Sequence, residues 1–128
     1  MDAFLNVFFF AFHSCLILFI LFGWLFRPLR RANLAVIVLT LFSWTILGIW
    51  YGYGYCPSTD WHWQARSRLG IVNDPDSYTK LLFDSVLGAD VSVGLVDTVT
   101  ALLLAAALAG SVYTNVRDYR RRRAKTSR

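Results

Sequence analysis

Three apolar runs, residues 3–26, 33–50 and 91–113, constrain this chain more than any other feature of its sequence. A hydrocarbon core of ~30 Å asks for ~20 helical residues at ~1.5 Å rise each, and each run is long enough. The 128 residues are 56% hydrophobic and 16% aromatic, so the apolar excess requires an apolar solvent. The pattern predicts an all-α membrane protein with three transmembrane helices and a structured, partly helical outer loop over residues 51–90. Residues 1–116 form one membrane domain, and residues 117–128 form a basic tail.

Charge placement sets the expected orientation. Arg27, Arg30 and Arg31 fall between the first two runs, and Arg117, Arg120, Arg121, Arg122, Arg123, Lys125 and Arg128 follow the third, which is ten of the thirteen Lys and Arg residues. The positive-inside rule assigns both clusters to the cytoplasm and the N-terminus to the outside. Asp2, rather than Lys or Arg, flanks the first run, which is therefore read as a retained helix and not a signal peptide. The basic clusters adjoin membrane runs and lack interleaved aromatics, so they are expected to meet anionic lipid and not nucleic acid. Trp50, Tyr51, Tyr53, Tyr55, Trp61 and Trp63 mark the outer boundary as an aromatic belt.

Pro28 separates the first two helices into a tight hairpin. Within the outer loop, Asp60 is expected to cap a short helix over residues 61–69 closed by Gly70, with Trp61 and Trp63 covered against the bundle or the membrane interface. Residues 73–77 read as a turn, and Tyr78–Leu87 as a helix ending at Gly88. In that helix Leu82, Phe83, Val86 and Leu87 share one side and Lys80 and Asp84 the other, as suits a helix lying in the interface.

Asp97 falls inside the third run, where an ionisable group costs ~2.5 kcal/mol or more unless it is partnered. It lies on a stripe of small residues, Gly94, Thr98, Ala101, Ala105 and Ala109, that permits close helix contact. His13 shares a face with Asn6 at comparable depth in the first run, so a His13–Asp97 hydrogen bond is expected. It reads as polar glue between helices or as a proton-relay site. The loop stretch Cys56, Asp60, Trp61, His62, Trp63 gathers thiol, carboxylate and imidazole. Its spacing matches no familiar metal-ligand pattern, so neither a metal nor a cofactor is expected. A Cys56–His62 nucleophilic pair lacks an orienting third group. Cys15, mid-run, reads as an apolar filler.

The loop sequence Gly52-Tyr53-Gly54-Tyr55-Cys56-Pro57, then Thr59-Asp60-Trp61-His62-Trp63, Gly70 and Pro75-Asp76-Ser77-Tyr78, resembles a family of small bacterial membrane proteins known as domain of unknown function 2784. The likeness extends to Phe12-His13, Phe22-Gly23-Trp24, Asp97 and Asn115-Val116-Arg117-Asp118. Ser58, Asp74 and Asp76 depart from the family pattern and leave Cys56, Asp60 and His62 in place. The resemblance implies the bacterial cytoplasmic (inner) membrane and supplies no activity. The expected function is that of a non-catalytic accessory or assembly protein whose aromatic loop docks on lipid, on a membrane-protein partner or on a second copy. The rival is a redox, metal-binding or proton-coupled transport function centred on His13, Asp97, Cys56 and His62.

Overall fold

The computed structural model describes residues 1–52, 54–72, 77–88 and 90–126. The protein is all-α, and among the described residues it builds five helices and no strand. Helix α1 (Asp2–Phe22) continues through a 3-10 turn, Gly23–Leu25. A second 3-10 turn, Arg27–Leu29, leads into α2 (Arg30–Phe42), which runs on through a π-helical turn (Ser43–Leu47) and a last turn (Gly48–Tyr51). Helix α3 is Pro57–Arg68, α4 is Tyr78–Leu87 and α5 is Val93–Thr126. The α1, α2 and α5 segments are long and apolar enough to cross a membrane.

Several boundaries differ from the sequence expectation. The hairpin between α1 and α2 is tighter than a six-residue loop, because Pro28 occupies the first turn of a 3-10 helix, where its missing N–H costs nothing. Asn33, fully buried, locks this hairpin by donating from Nδ2 to the carbonyls of Phe19 at 2.7 Å and Ile20 at 3.2 Å. Gly23 makes that approach possible, since a Cβ there would lie 2.9 Å from Asn33 Nδ2. The third helix does not stop near Tyr113. It runs 34 residues through the basic segment, where Arg, Ala and Lys favour helix and no Gly or Pro interrupts.

The core joins Ile20 of α1, Ile37 of α2 and Leu104 and Ala107 of α5, with Leu16, Val36, Trp44 and Leu108 packed around them. The buried face of α5 is Val96, Leu104, Ala107, Ser111 and Thr114. At Gly110 a Cβ would meet the Trp24 ring at 3.0 Å, so the bare glycine sets how closely α5 approaches the end of α1. Toward the arginine-rich end, Arg30 is buried. Its Nε donates to the Trp24 carbonyl at 2.9 Å and its Nη1 pairs with Asp118 Oδ2 at 2.7 Å.

At the opposite end Gly52, with φ +99°, adopts a conformation that L side chains rarely take, and the chain turns back there toward the bundle. Ser43 Oγ, at the π-helical turn of α2, donates to the Tyr55 carbonyl at 2.7 Å and holds the returning strand of loop at that depth. Irregular backbone at such a level is tolerated because the neighbouring helices satisfy it. Helix α4 matches its expected span and ends on Gly88. Its polar side is turned inward: Lys80 is buried and bridges Asp84 to Asp90, while Val86 and Leu87 are exposed. The turn expected over residues 73–76, and Tyr53 of the aromatic belt, lie outside the described residues.

Candidate functional site

Pro57 opens α3, and Asp60 does not cap it. The carboxylate stands within the first turn and accepts from Gln64 Nε2 at 2.9 Å. Proline's fixed φ favours the first helical position, so the helix starts before Asp60 is reached. This start puts Ser58, His62 and Ala65 at i, i+4 and i+7, on one face. That face lies along α1, where Asn6, Phe9 and His13 form a matching stripe. Ser58 Oγ is 3.2 Å from His13 Nδ1, His62 Nε2 is 2.8 Å from Asn6 Oδ1, and Arg68 Nη1 is 3.5 Å from Asp2 Oδ1. The two helices are therefore antiparallel, and the buried Ala65 permits their close approach.

Tyr78, the first residue of α4, completes the cluster. Its ring stacks on His13 at 4.1 Å between centroids with 23° between planes. Its hydroxyl donates to the Phe10 carbonyl at 2.8 Å, which uses its one proton, so Ser14 Oγ at 2.9 Å is the donor to Tyr78. Burial pushes the Tyr78 phenol above its ordinary range, and the Ser14 contact opposes this. Cys56 Sγ lies 3.1 Å from Ser58 Oγ. A bonded chain thus runs from Cys56 through Ser58 to His13 and, by stacking, to Tyr78.

His62 is fully buried between α1 and Tyr78. With Asn6 Oδ1 as acceptor, Nε2 carries the proton, and Nδ1 is buried without a partner. Burial holds the imidazole below its usual range. The nearby Arg66 guanidinium adds to this and the Asn6 contact opposes it.

The His13–Asp97 hydrogen bond expected from the sequence is not formed. His13 is engaged by Ser58 and Tyr78, while Asp97 is exposed on α5. Gly94, Thr98, Ala101, Ala105 and Ala109 are exposed beside it, and nothing lies within 4 Å of a Cβ built on Gly94. The small-residue stripe therefore faces away from the bundle, and Val96, Leu104 and Ala107 of the same helix are the residues buried in it. Trp61 is 58% exposed and Trp63 half-buried, and the covered residue of that segment is His62 between them.

Cys56 is half-buried within the cluster, whereas Cys15 is exposed on α1. Among the described residues no group of His, Cys, Asp and Glu is arranged to hold a metal ion. Arg27, Arg31 and the run Arg120, Arg121, Arg122, Arg123 are exposed, unlike Arg30. Ser58, Tyr78 and Ser14 are site residues that sequence reasoning passed over. Their signal was a polar group at helical spacing from a histidine, visible for Ser58 and His62 once the helix start is known.

No curated protein and no solved structure matches the chain. The family described as Protein of Unknown function (DUF2784) matches residues 3–116, nearly the whole span of the bundle and its loop. The chain belongs to the DUF2784 family.

Proposed function

We propose that this protein is a non-catalytic accessory or assembly subunit of a membrane complex, and that the exposed small-residue face of α5 around Asp97 is where a partner helix docks. The observation that carries the reading is a contrast in how polar groups are used. In the histidine cluster the hydroxyls, amide and imidazoles are engaged in fastening α3 and α4 to α1. Asp97 is exposed one turn into a helix long and apolar enough to span a membrane, on a face of Gly, Thr and Ala. A carboxylate against hydrocarbon is unfavourable, and small residues let a second backbone come close enough to offer it a hydrogen bond. The exposed Trp61 and the loop clamped beneath it add a second contact area at the same end.

The family likeness suggests a bacterial inner-membrane location, and the charge distribution supports an orientation with the arginine-rich end in the cytoplasm and the loop outside. The test is the size of the complex extracted in mild detergent. Asp97→Leu is expected to shift the native-gel band to that of the isolated chain while leaving its own melting temperature unchanged, and Asp97→Asn to retain part of the complex. A wild-type band already at the mass of a single chain would overturn the reading.

One observation favours a second reading, a redox or proton-binding role for the cluster. Cys56 reaches the level of His13 through Ser58, and His62, against Asn6 nearer the start of α1, has a buried and unpartnered Nδ1. Bound metal or haem in the purified protein, lost in His62→Gln, would support this reading against the first.

A further inference from the structure

At the arginine-rich end, the turn Arg27–Leu29 and the last third of α5 enclose a cleft whose lining includes Arg27, Arg30, Arg31, Asn115, Asp118 and Arg122. We propose that this cleft binds the phosphate of an anionic phospholipid headgroup, with Arg27, Arg31 and Arg122 as its ligands.

The cleft is built rather than incidental. Arg30 is buried and fixed by the Trp24 carbonyl and Asp118, and Asn115 Nδ2 donates to the Arg30 carbonyl at 3.0 Å, so both walls are tied together. Against four arginines the lining holds a single carboxylate, and that one is committed to Arg30. Among the described residues no salt bridge engages Arg27, Arg31 or Arg122. Four guanidiniums lining one cleft against a single carboxylate leave a net positive charge that suits phosphate, which accepts several N–H groups at once. Helix α2 begins there without a side-chain cap, so its positive end adds to the same field.

The source of the phosphate is argued from what flanks the cleft. Leu25, Phe26, Tyr113 and Val116 are exposed beside it, at the ends of helices long enough to cross a membrane. Acyl chains would cover these side chains, and a free anion would not. The groove continues past Arg123 to Thr126, leaving space for a second phosphate along α5.

The test uses the full chain, purified in neutral detergent and exposed to phosphatidylglycerol, cardiolipin or phosphatidylcholine, with retained lipid counted by native mass spectrometry. The variant Arg27→Gln/Arg31→Gln/Arg122→Gln is compared with Arg120→Gln/Arg121→Gln/Lys125→Gln, which removes the same charge from outside the cleft. Retention of the anionic lipids is expected to fall about tenfold or more in the first and less than about twofold in the second. Equal loss in both variants would reduce the effect to bulk charge and overturn the proposal. Displacement of lipid by inorganic phosphate at equal concentration would assign the cleft to a soluble anion and overturn it as well. Should the cleft variant fail to fold, a photoactivatable phosphatidylglycerol on the wild-type chain decides: adducts in the peptides holding Arg27 to Arg31 and Asn115 to Arg122 support the site, and adducts spread along the lipid-facing helices refute it.

Discussion

His62 Nε2 lies 2.8 Å from Asn6 Oδ1, and this bond pins the middle of α3 to the early turns of α1. His62 is fully buried and its other nitrogen has no partner, so the imidazole depends on this bond. Asn6→Leu would strand both imidazole nitrogens. The expected cost is about 1–3 kcal/mol, the range for an unsatisfied buried polar group. Thermal melting of the purified chain in detergent reads this directly, and a melting temperature equal to that of the wild type would show that the loop is not held there.

Acid should loosen the same tie. The folded His62 imidazole titrates below its usual value, so between that lowered value and ~6.5 the unfolded chain binds a proton that the folded chain refuses. Stability therefore rises with pH through this window, is complete above ~6.5, and falls on acidification below it. His62→Gln keeps a donor for Asn6 and cannot titrate. The difference in melting temperature between neutral and mildly acidic buffer is expected to shrink in His62→Gln, with His13 unchanged in both proteins. An identical pH profile for the two would place the titration elsewhere.

Close packing of α5 on α1 rests on Gly110. A methyl group there would meet the Trp24 ring at 3.0–3.2 Å, and overpacking of this kind costs about 1–3 kcal/mol. Gly94 has open space around its position, so Gly94→Ala should leave the melting of the isolated chain unchanged or raise it slightly through helix propensity. Equal effects at the two glycines would mean that α5 does not present these faces.

The three long helices were legible because an apolar run of membrane length has few alternatives, and α4 was legible because Gly88 punctuates an amphipathic stretch. The partner of His13 was not. Periodicity places a residue on a face of its own helix and says nothing about which neighbour that face meets. Depth along two runs suggested Asp97, but Ser58 arrives on α3, which folds back along α1, and Tyr78 stacks on the His13 ring. Asp60 had the chemistry of a cap and lost the position to Pro57. The stripe beside Asp97 was expected to face the first helix and is instead exposed, since composition alone cannot tell an inward face from an outward one.

Arg30 and Arg31 are adjacent in sequence and opposite in role. Arg30 is buried with bonds to Trp24 and Asp118, and Arg31 is exposed. Arg30→Gln should lower the melting temperature, because Asp118 and the Trp24 carbonyl both lose a donor, while Arg31→Gln should leave it nearly unchanged. Comparable losses in the two variants would contradict the structure of this end of the bundle.

The most direct measurement of the account is site-specific photo-crosslinking in native membranes, with the photoreactive side chain placed at Ala101 on the Asp97 face of α5 or at Leu39, which is 65% exposed on α2. If the Asp97 face docks a partner helix, Ala101 yields a discrete protein adduct that disappears when Asp97→Leu is introduced, and Leu39 yields lipid adducts alone. Lipid adducts alone at both positions would contradict the account.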